Sequence, residues 1–200
     1  MTSLRTIPAP QPDETAMRLI RPEDFLTQQW KNGGGVTHEI ARQDREGRML
    51  WRLSIAEVAS DGPFSAFPGL SRILTVIEGA GLALQTPDVT LMALPMQPLA
   101  FSGDLPIDSR LIDGPVRDFN LIHDGARFDG SVLPLAGDRT LATGATHAVL
   151  AIGDGISVDG TLLPQGAVAL IEGATRINAP AAAPGLVATL TPRQVPKAMP

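Results

Sequence analysis

Two cationic side chains and two amides are the groups in this sequence best suited to holding a small anion. Lys31 and Arg72 supply positive charge, while Asn32 and Asn120 carry amides that both donate and accept hydrogen bonds. Such amides suit a formyl, imidazole or amide group. A guanidinium offers only donors and keeps its proton at ordinary pH, so Arg72 cannot coordinate a cation. Its fork does match a carboxylate. Pairing with a neighbouring acid is the other use open to it. The amides of Gly33-Gly34-Gly35 offer a concave anion nest, or else simply a tight turn. Trp30 and Phe67 supply flat apolar walls of the kind that line small-molecule sites, with Ser65 between the two segments, although Trp30 could equally anchor a core. Arg52 and Asp118 read as support, Asp118 holding Arg52 or Arg72 in place.

Other chemistries lack their residues. The sequence has no cysteine, which removes disulfides, thiolate zinc sites and thiol nucleophiles. Its three histidines, His38, His123 and His147, are far apart, and no paired carboxylates stand out for acid–base work. Ser65 lacks a nucleophile elbow and a visible His/Asp partner. The expectation is therefore no catalytic residue, no metal and no cofactor. A net charge of −5 argues against a phosphate-tracking surface and so against nucleic acid. No window approaches the roughly 18 apolar residues of a membrane span, and residues 1–15 carry no signal-peptide pattern. A cytoplasmic location with no membrane partner is expected, with residues 1–15 disordered. Only two lysines, Lys31 and Lys197, stand beside 14 arginines, and Lys197 falls in a tail expected to fray.

The elements that must position these groups are strands. Apolar residues make up 44% of 200 residues but aromatics only 4%, so the interior must be aliphatic, and 20 glycines with 18 prolines suit many short strands joined by turns. Met17–Ile20 can start a strand, and Pro22–Phe25 reads as a short helical turn with acids in its first turn. From Met49 to Val58, Trp51, Leu53 and Ile55 share one face and Arg52, Ser54 and Ala56 the other. The segments Leu74–Leu84 and Ala148–Val158 each run apolar strand, Gly-x-Gly, apolar strand, which predicts two copies of a hairpin. Further strands are expected at Val89–Leu94, Leu99–Ser102, Arg110–Ile112, Val116–Ile122, Ala167–Ile171 and Leu186–Leu190, with a polar connection over Asp124–Asp138. The reading is a duplicated all-β jelly roll.

Spacing supports a specific version of that fold. Ser65-Ala66-Phe67, four residues to Arg72 and six more to Gly79 is similar to the first motif of metal-binding cupins, His-x-His-x4-Glu-x6-Gly, with its ligands replaced. Three blocks go further. Trp30-Lys31-Asn32-Gly33-Gly34-Gly35-Val36-Thr37-His38-Glu39-Ile40-Ala41 resembles the opening signature of the HutD/Ves family. Trp51–Ala56 and Asp61–Gly69 resemble its central one. Phe101–Asp104, Asp113–Val116 and Asp118–Asn120 resemble its third.

The resemblance covers about residues 17–123. It implies a double cupin without the usual metal ligands, with residues 16–123 as a first unit and 124–200 as a smaller second unit. For the HutD branch it also implies a regulator that restrains histidine utilisation by sensing an intermediate such as urocanate or formylglutamate. The chain departs from the family where Leu121-Ile122-His123-Asp124 follows Asn120, since relatives often continue there with a basic stretch. Two other readings stay open. One is a cofactor-free isomerase or lyase on a small carboxylate, for which His38 or His123 would be the base. The other is a non-catalytic, stress-related interaction protein, which calls for a closed barrel mouth and an exposed apolar patch. Monomer and homodimer are both compatible with a duplicated chain.

Overall fold

A computed structural model describes residues 16–31 and 33–193. The expected disorder of residues 1–15, the amide of Asn32 and the tail lysine Lys197 lie outside the described residues. The described residues begin with β1 (Ala16–Ile20), a 3-10 turn at Pro22–Asp24, β2 (Leu26–Gln29), β3 (Gly35–Arg45) and β4 (Arg48–Val58). It continues through β5 (Gly62–Pro63), β6 (Ser71–Glu78), β7 (Leu82–Gln85), β8 (Thr90–Ala93), β9 (Leu99–Ser102), β10 (Asp108–Leu111) and β11 (Val116–His123). The remainder holds β12 (Phe128–Pro134), β13 (Arg139–Leu141), β14 (Thr146–Ala151) and β15 (Ser157–Val158), then β16 (Thr161–Leu162), β17 (Val168–Glu172), β18 (Thr175–Asn178) and β19 (Gly185–Pro192). Among the described residues no helix is long and apolar enough to cross a membrane.

The duplication is visible in the pairing. One sheet contains the order β4-β11-β6-β9 and another β12-β19-β14-β17. Two smaller sheets run β5-β10-β7-β8 and β13-β18-β15-β16. Each strand of the first set therefore has a counterpart eight strands later, and each set is an eight-stranded jelly roll. The fold is a double cupin. What differs is the trimming: β2 and β3 extend the first large sheet beside β4, whereas β1 extends the second beside β17.

Two expectations need correction. The apolar runs at Leu74–Leu84 and Ala148–Val158 are not hairpins. β6 pairs with β11 and β9, and β7 with β10 and β8, so the chain crosses from large to small sheet at Gly79-Ala80-Gly81. β14 and β15 repeat the crossing at Gly153-Asp154-Gly155. Close backbone approach explains the glycines. A Cβ at Gly79 (φ 94°) would lie 2.6 Å from the Pro115 carbonyl oxygen, and one at Gly153 would lie 2.5 Å from Pro184 Cδ. The second correction concerns Ala16–Ile20, expected in the first unit. That strand pairs along its whole length with Val168–Glu172 of the second. From the hydrogen bonding we propose a first unit from Leu26 to His123 and a second from 124 onward, with β1 added to it. The connection expected at Asp124–Asp138 also contains a strand, β12.

The sheets stack in four layers with three apolar interfaces. Leu74, Val76, Leu82 and Leu84 fill the first barrel, and Val149, Ile156, Ile171 and Ile177 fill the second. Between the barrels the outer faces of the two large sheets meet, with Leu53, Ile55, Phe119 and Leu121 against Leu150, Val168, Leu186 and Leu190. Strand alternation generates this arrangement directly. On β11 the odd residues Phe119 and Leu121 face the other barrel, so the even residues Asp118, Asn120 and Ile122 face inward.

Candidate functional site

Of those inward-facing residues, Asn120 and Ile122 open onto a cavity of about 400 Å³ in the first barrel. Three neighbouring strands build its floor in register. Ile122 pairs with Arg52 on β4 and with Arg72 on β6, while Asn120 pairs with Ser54 and Leu74. Arg52, Ser54, Arg72, Asn120 and Ile122 all line the cavity. The polar face of β4, legible in the alternation of Arg52, Ser54 and Ala56, is thus the cavity wall. Its dry face is the layer between barrels.

Arg72 is only 7% exposed, yet its surroundings suit a charge. Its Nε and Nη2 both donate to Asn120 Oδ1, at 2.9 and 2.8 Å. The guanidinium lies 4.8 Å from the ring centroid of Phe64, 5.5 Å from that of Phe101 and 5.8 Å from that of Phe67, within reach of cation–π attraction. Burial pulls its pKa down to about 10, with Asp118 opposing the shift and Arg52 adding to it. It remains a cation at neutral pH. Two donors are spent on Asn120, and the protons of Nη1 stay available to the cavity.

Beneath Asn120 lies Asp118, fully buried. Its Oδ1 accepts a short hydrogen bond from Asn120 Nδ2, and its Oδ2 has no partner among the described residues. The amide of Asn120 is therefore oriented by both neighbours, oxygen to Arg72 and nitrogen to Asp118. Desolvation raises the Asp118 pKa to about 6 against the opposing pull of Arg72 and Asn120. Asp118 supports the floor and does not line the cavity.

The wall opposite comes from the hairpin of β2 and β3. Trp30 lines the cavity, donates from Nε1 to Thr37 Oγ1 at 2.8 Å and meets Phe64 edge to face with centroids 6.2 Å apart. Lys31 stands exposed at the rim, and Ser65 and Phe67 line the other side. For the glycines the structure favours the tight turn. Gly33 donates its N–H to the Trp30 carbonyl, and none of the three glycines lines the cavity. Gly35 has a different purpose, because a Cβ there would sit 2.4 Å from the Glu57 carbonyl oxygen and 3.0 Å from the Trp30 ring. Arg52, read as support, lines the cavity directly while its Nε lies 2.8 Å from Glu39 Oε2.

Gln28, Gln29, Thr37 and Phe64 also line the cavity and were not foreseen. Thr37 and Phe64 stand in the recognised blocks. Gln28 and Gln29 gave no signal, since a short edge strand of exposed polar residues has no apolar alternation to read.

Among the described residues no histidine and no carboxylate lines the cavity. His38 contacts Thr27 Oγ1 at 2.9 Å and Glu57 at 3.3 Å, on the face of β3 opposite the cavity-lining Thr37. His123 lies on the other face of β11 from Ile122, packed over Gly130, and burial lowers its pKa. Neither is placed to act as the general base that the isomerase or lyase reading requires. Among the described residues no cluster of three or more His, Cys, Asp or Glu is grouped to hold a metal ion.

This architecture is shared with characterised folds. The HutD structure from Pseudomonas fluorescens SBW25 (formate condition) superimposes with a TM-score of 0.81 at 34% identity, covering 90% of this chain and all of that one. A conserved protein of unknown function from Pseudomonas aeruginosa gives 0.78, again at 34% identity and with 90% and 100% coverage. An uncharacterized 21.2 kDa protein in the hutC 3' region of Pseudomonas putida is 38% identical over 137 residues, 67% of this chain and 72% of the relative. The HutD family profile itself matches residues 22–189, running through both barrels. The chain belongs to the HutD family.

Proposed function

We propose that the first-barrel cavity binds a small anionic metabolite, of the class of urocanate or formylglutamate, and that the protein uses this binding to regulate histidine utilisation. One observation carries the reading. Among the described residues Lys31, Arg52 and Arg72 line the cavity, no carboxylate does, and Arg72 is buried with donor capacity to spare. A desolvated guanidinium is costly to maintain, and Asp118 offsets that cost only from beyond Asn120. The flat walls of Trp30, Phe64 and Phe67 suit a planar or extended organic anion. Family membership supports the link to histidine utilisation, as does the hutC neighbourhood of the Pseudomonas putida relative. The formate condition of the Pseudomonas fluorescens structure makes the simplest carboxylate a natural probe.

Calorimetric titration with urocanate, formylglutamate, formate and histidine tests the binding half. Saturable binding of at least one carboxylate, lost in Arg72→Ala, is expected. The regulatory half is tested with a reporter of histidine-utilisation expression in a bacterium lacking its own HutD. Wild-type protein should restrain the reporter and Arg72→Ala should not. Anion binding with no effect of either protein on the reporter would leave a binding protein without the regulatory role.

A further inference from the structure

The buried carboxyl of Asp118 has no place in a simple anion site. It sits one amide away from the residue expected to hold the anion, where a fixed negative charge opposes binding. It does not reach the cavity, and one of its oxygens is unpartnered. A purely structural acid would be paired on both sides, because an unmet buried acceptor costs free energy.

The surroundings allow only a few charges to act on it. Its ladder partners are Ala56 on β4 and Val76 on β6, and both belong to the apolar filling of the first barrel with Leu82 and Leu84 of β7 and Ala93 of β8. Arg72 from β6 is the cation coupled to it, reached through Asn120, with Arg52 from β4 acting on Arg72 in turn. Lys31 stands out at the rim. The histidines His38, His123 and His147 do not line the cavity. Arg72 thus balances Asp118 when the cavity holds no anion. An anion seated on Arg72 would take over that balance and leave two negative groups around one guanidinium.

We propose that Asp118 is the positioning residue of this site, acting through Asn120 on Arg72, and that anion binding is accompanied by uptake of one proton from solvent onto Asp118 Oδ2. The inference rests on the proposed anion reading and adds its regulation. The O–H bond forms at the unpartnered oxygen, while Oδ1 continues to accept from Asn120 Nδ2, so the amide and the Arg72 fork keep their orientation. The sign follows from linkage. The protonated form binds anions better, so affinity is greatest below about pH 6 and falls as pH rises through that region. The site would then report anion concentration and acidity together.

Formate is the probe, because its own carboxylate stays ionised above about pH 5. Titrating the full chain at about pH 5.5 and pH 7.5 in pairs of buffers with different ionisation enthalpies gives affinity and proton uptake together. The expected result is affinity roughly tenfold tighter at the lower pH, with a binding heat that depends on the buffer near pH 6.5. Asp118→Asn, whose side-chain oxygen still accepts from Asn120, should bind without pH dependence and without proton uptake. The wild-type buffer dependence stands by itself should that variant fold poorly. Saturable binding with buffer-independent heat and a flat pH profile overturns the proton linkage and leaves the anion site intact. No saturable binding at either pH overturns the anion site and this inference with it.

Discussion

The two barrels share one strand order but fill the same positions with opposite chemistry. In the first, Arg72, Leu74 and Val76 face Ile122, Asn120 and Asp118 across the β6–β11 ladder. In the second, His147, Val149 and Ala151 face Thr189, Val187 and Gly185 across β14–β19. Where the first barrel buries an arginine, an amide and a carboxyl, the second has histidine, valine and glycine. His147 has no donor to spare, because its Nε2 donates to the Ala142 carbonyl at 3.0 Å, leaving Nδ1 to accept from the Thr189 hydroxyl at 2.9 Å. The second barrel shows that the jelly roll needs no buried arginine and carboxyl on that floor. The polar floor of the first is therefore a cost the fold does not require, and the proposed anion binding accounts for it.

The layer shared by both barrels does not distinguish them and should give the largest effect. Phe119 is fully buried there, and Phe119→Ala should cost about 3–5 kcal/mol in a thermal or urea transition. Two separate transitions in the wild type would show instead that the barrels fold independently.

Next comes the matched pair at the head of the ladders. Arg72→Ala should weaken anion affinity about 100-fold, as expected when a charge-assisted, desolvated contact is removed. His147→Gln should leave affinity unchanged, and calorimetry on both proteins checks the contrast.

Asp118 sharpens the comparison through pH. Its carboxyl is held at about 6, above its ordinary 3.8, so its stabilising contribution is complete below about pH 4 and is lost as pH rises through 6. The Asp118→Asn protein should match the wild type near pH 4 and exceed it by up to about 3 kcal/mol near pH 7.5. Equal denaturation midpoints at both pH values would show that the buried acid carries no such strain.

Exchanging Asn120 and Val187, buried residues of the corresponding strands β11 and β19, gives the smallest effects. Asn120→Val should weaken binding roughly tenfold by freeing the Arg72 fork, a loss of about 1.4 kcal/mol. Val187→Asn should create no binding and should lower stability by about 1–3 kcal/mol, because its amide would lack partners among Val149, Ile156 and Ile171.

Much of the first barrel was legible in the chain itself. The alternation from Trp51 to Ala56 separated the cavity face from the dry face, and the recognised blocks, with the cupin-like spacing to Arg72, pointed to Trp30, Ser65, Phe67, Arg72 and Asn120, which line one cavity. Local pattern failed where pairing is non-local. Gly79-Ala80-Gly81 looks like a hairpin turn, and only packing against Pro115 and Ala93 makes it a crossing between sheets. β12 was hidden because, as an edge strand, it exposes Asp129, Ser131 and Leu133 and buries only Val132 strongly. The pairing of β1 with β17 joins segments from opposite ends of the chain, and no periodicity in either predicts it.

The central claim is that one barrel binds and the other does not. Calorimetric titration of the wild-type chain with a carboxylate, beside Arg72→Ala and His147→Gln, tests it most directly. The account predicts one site per chain, weakened about 100-fold by Arg72→Ala and untouched by His147→Gln. Two equal sites per chain, or a site that survives Arg72→Ala and disappears with His147→Gln, would contradict it.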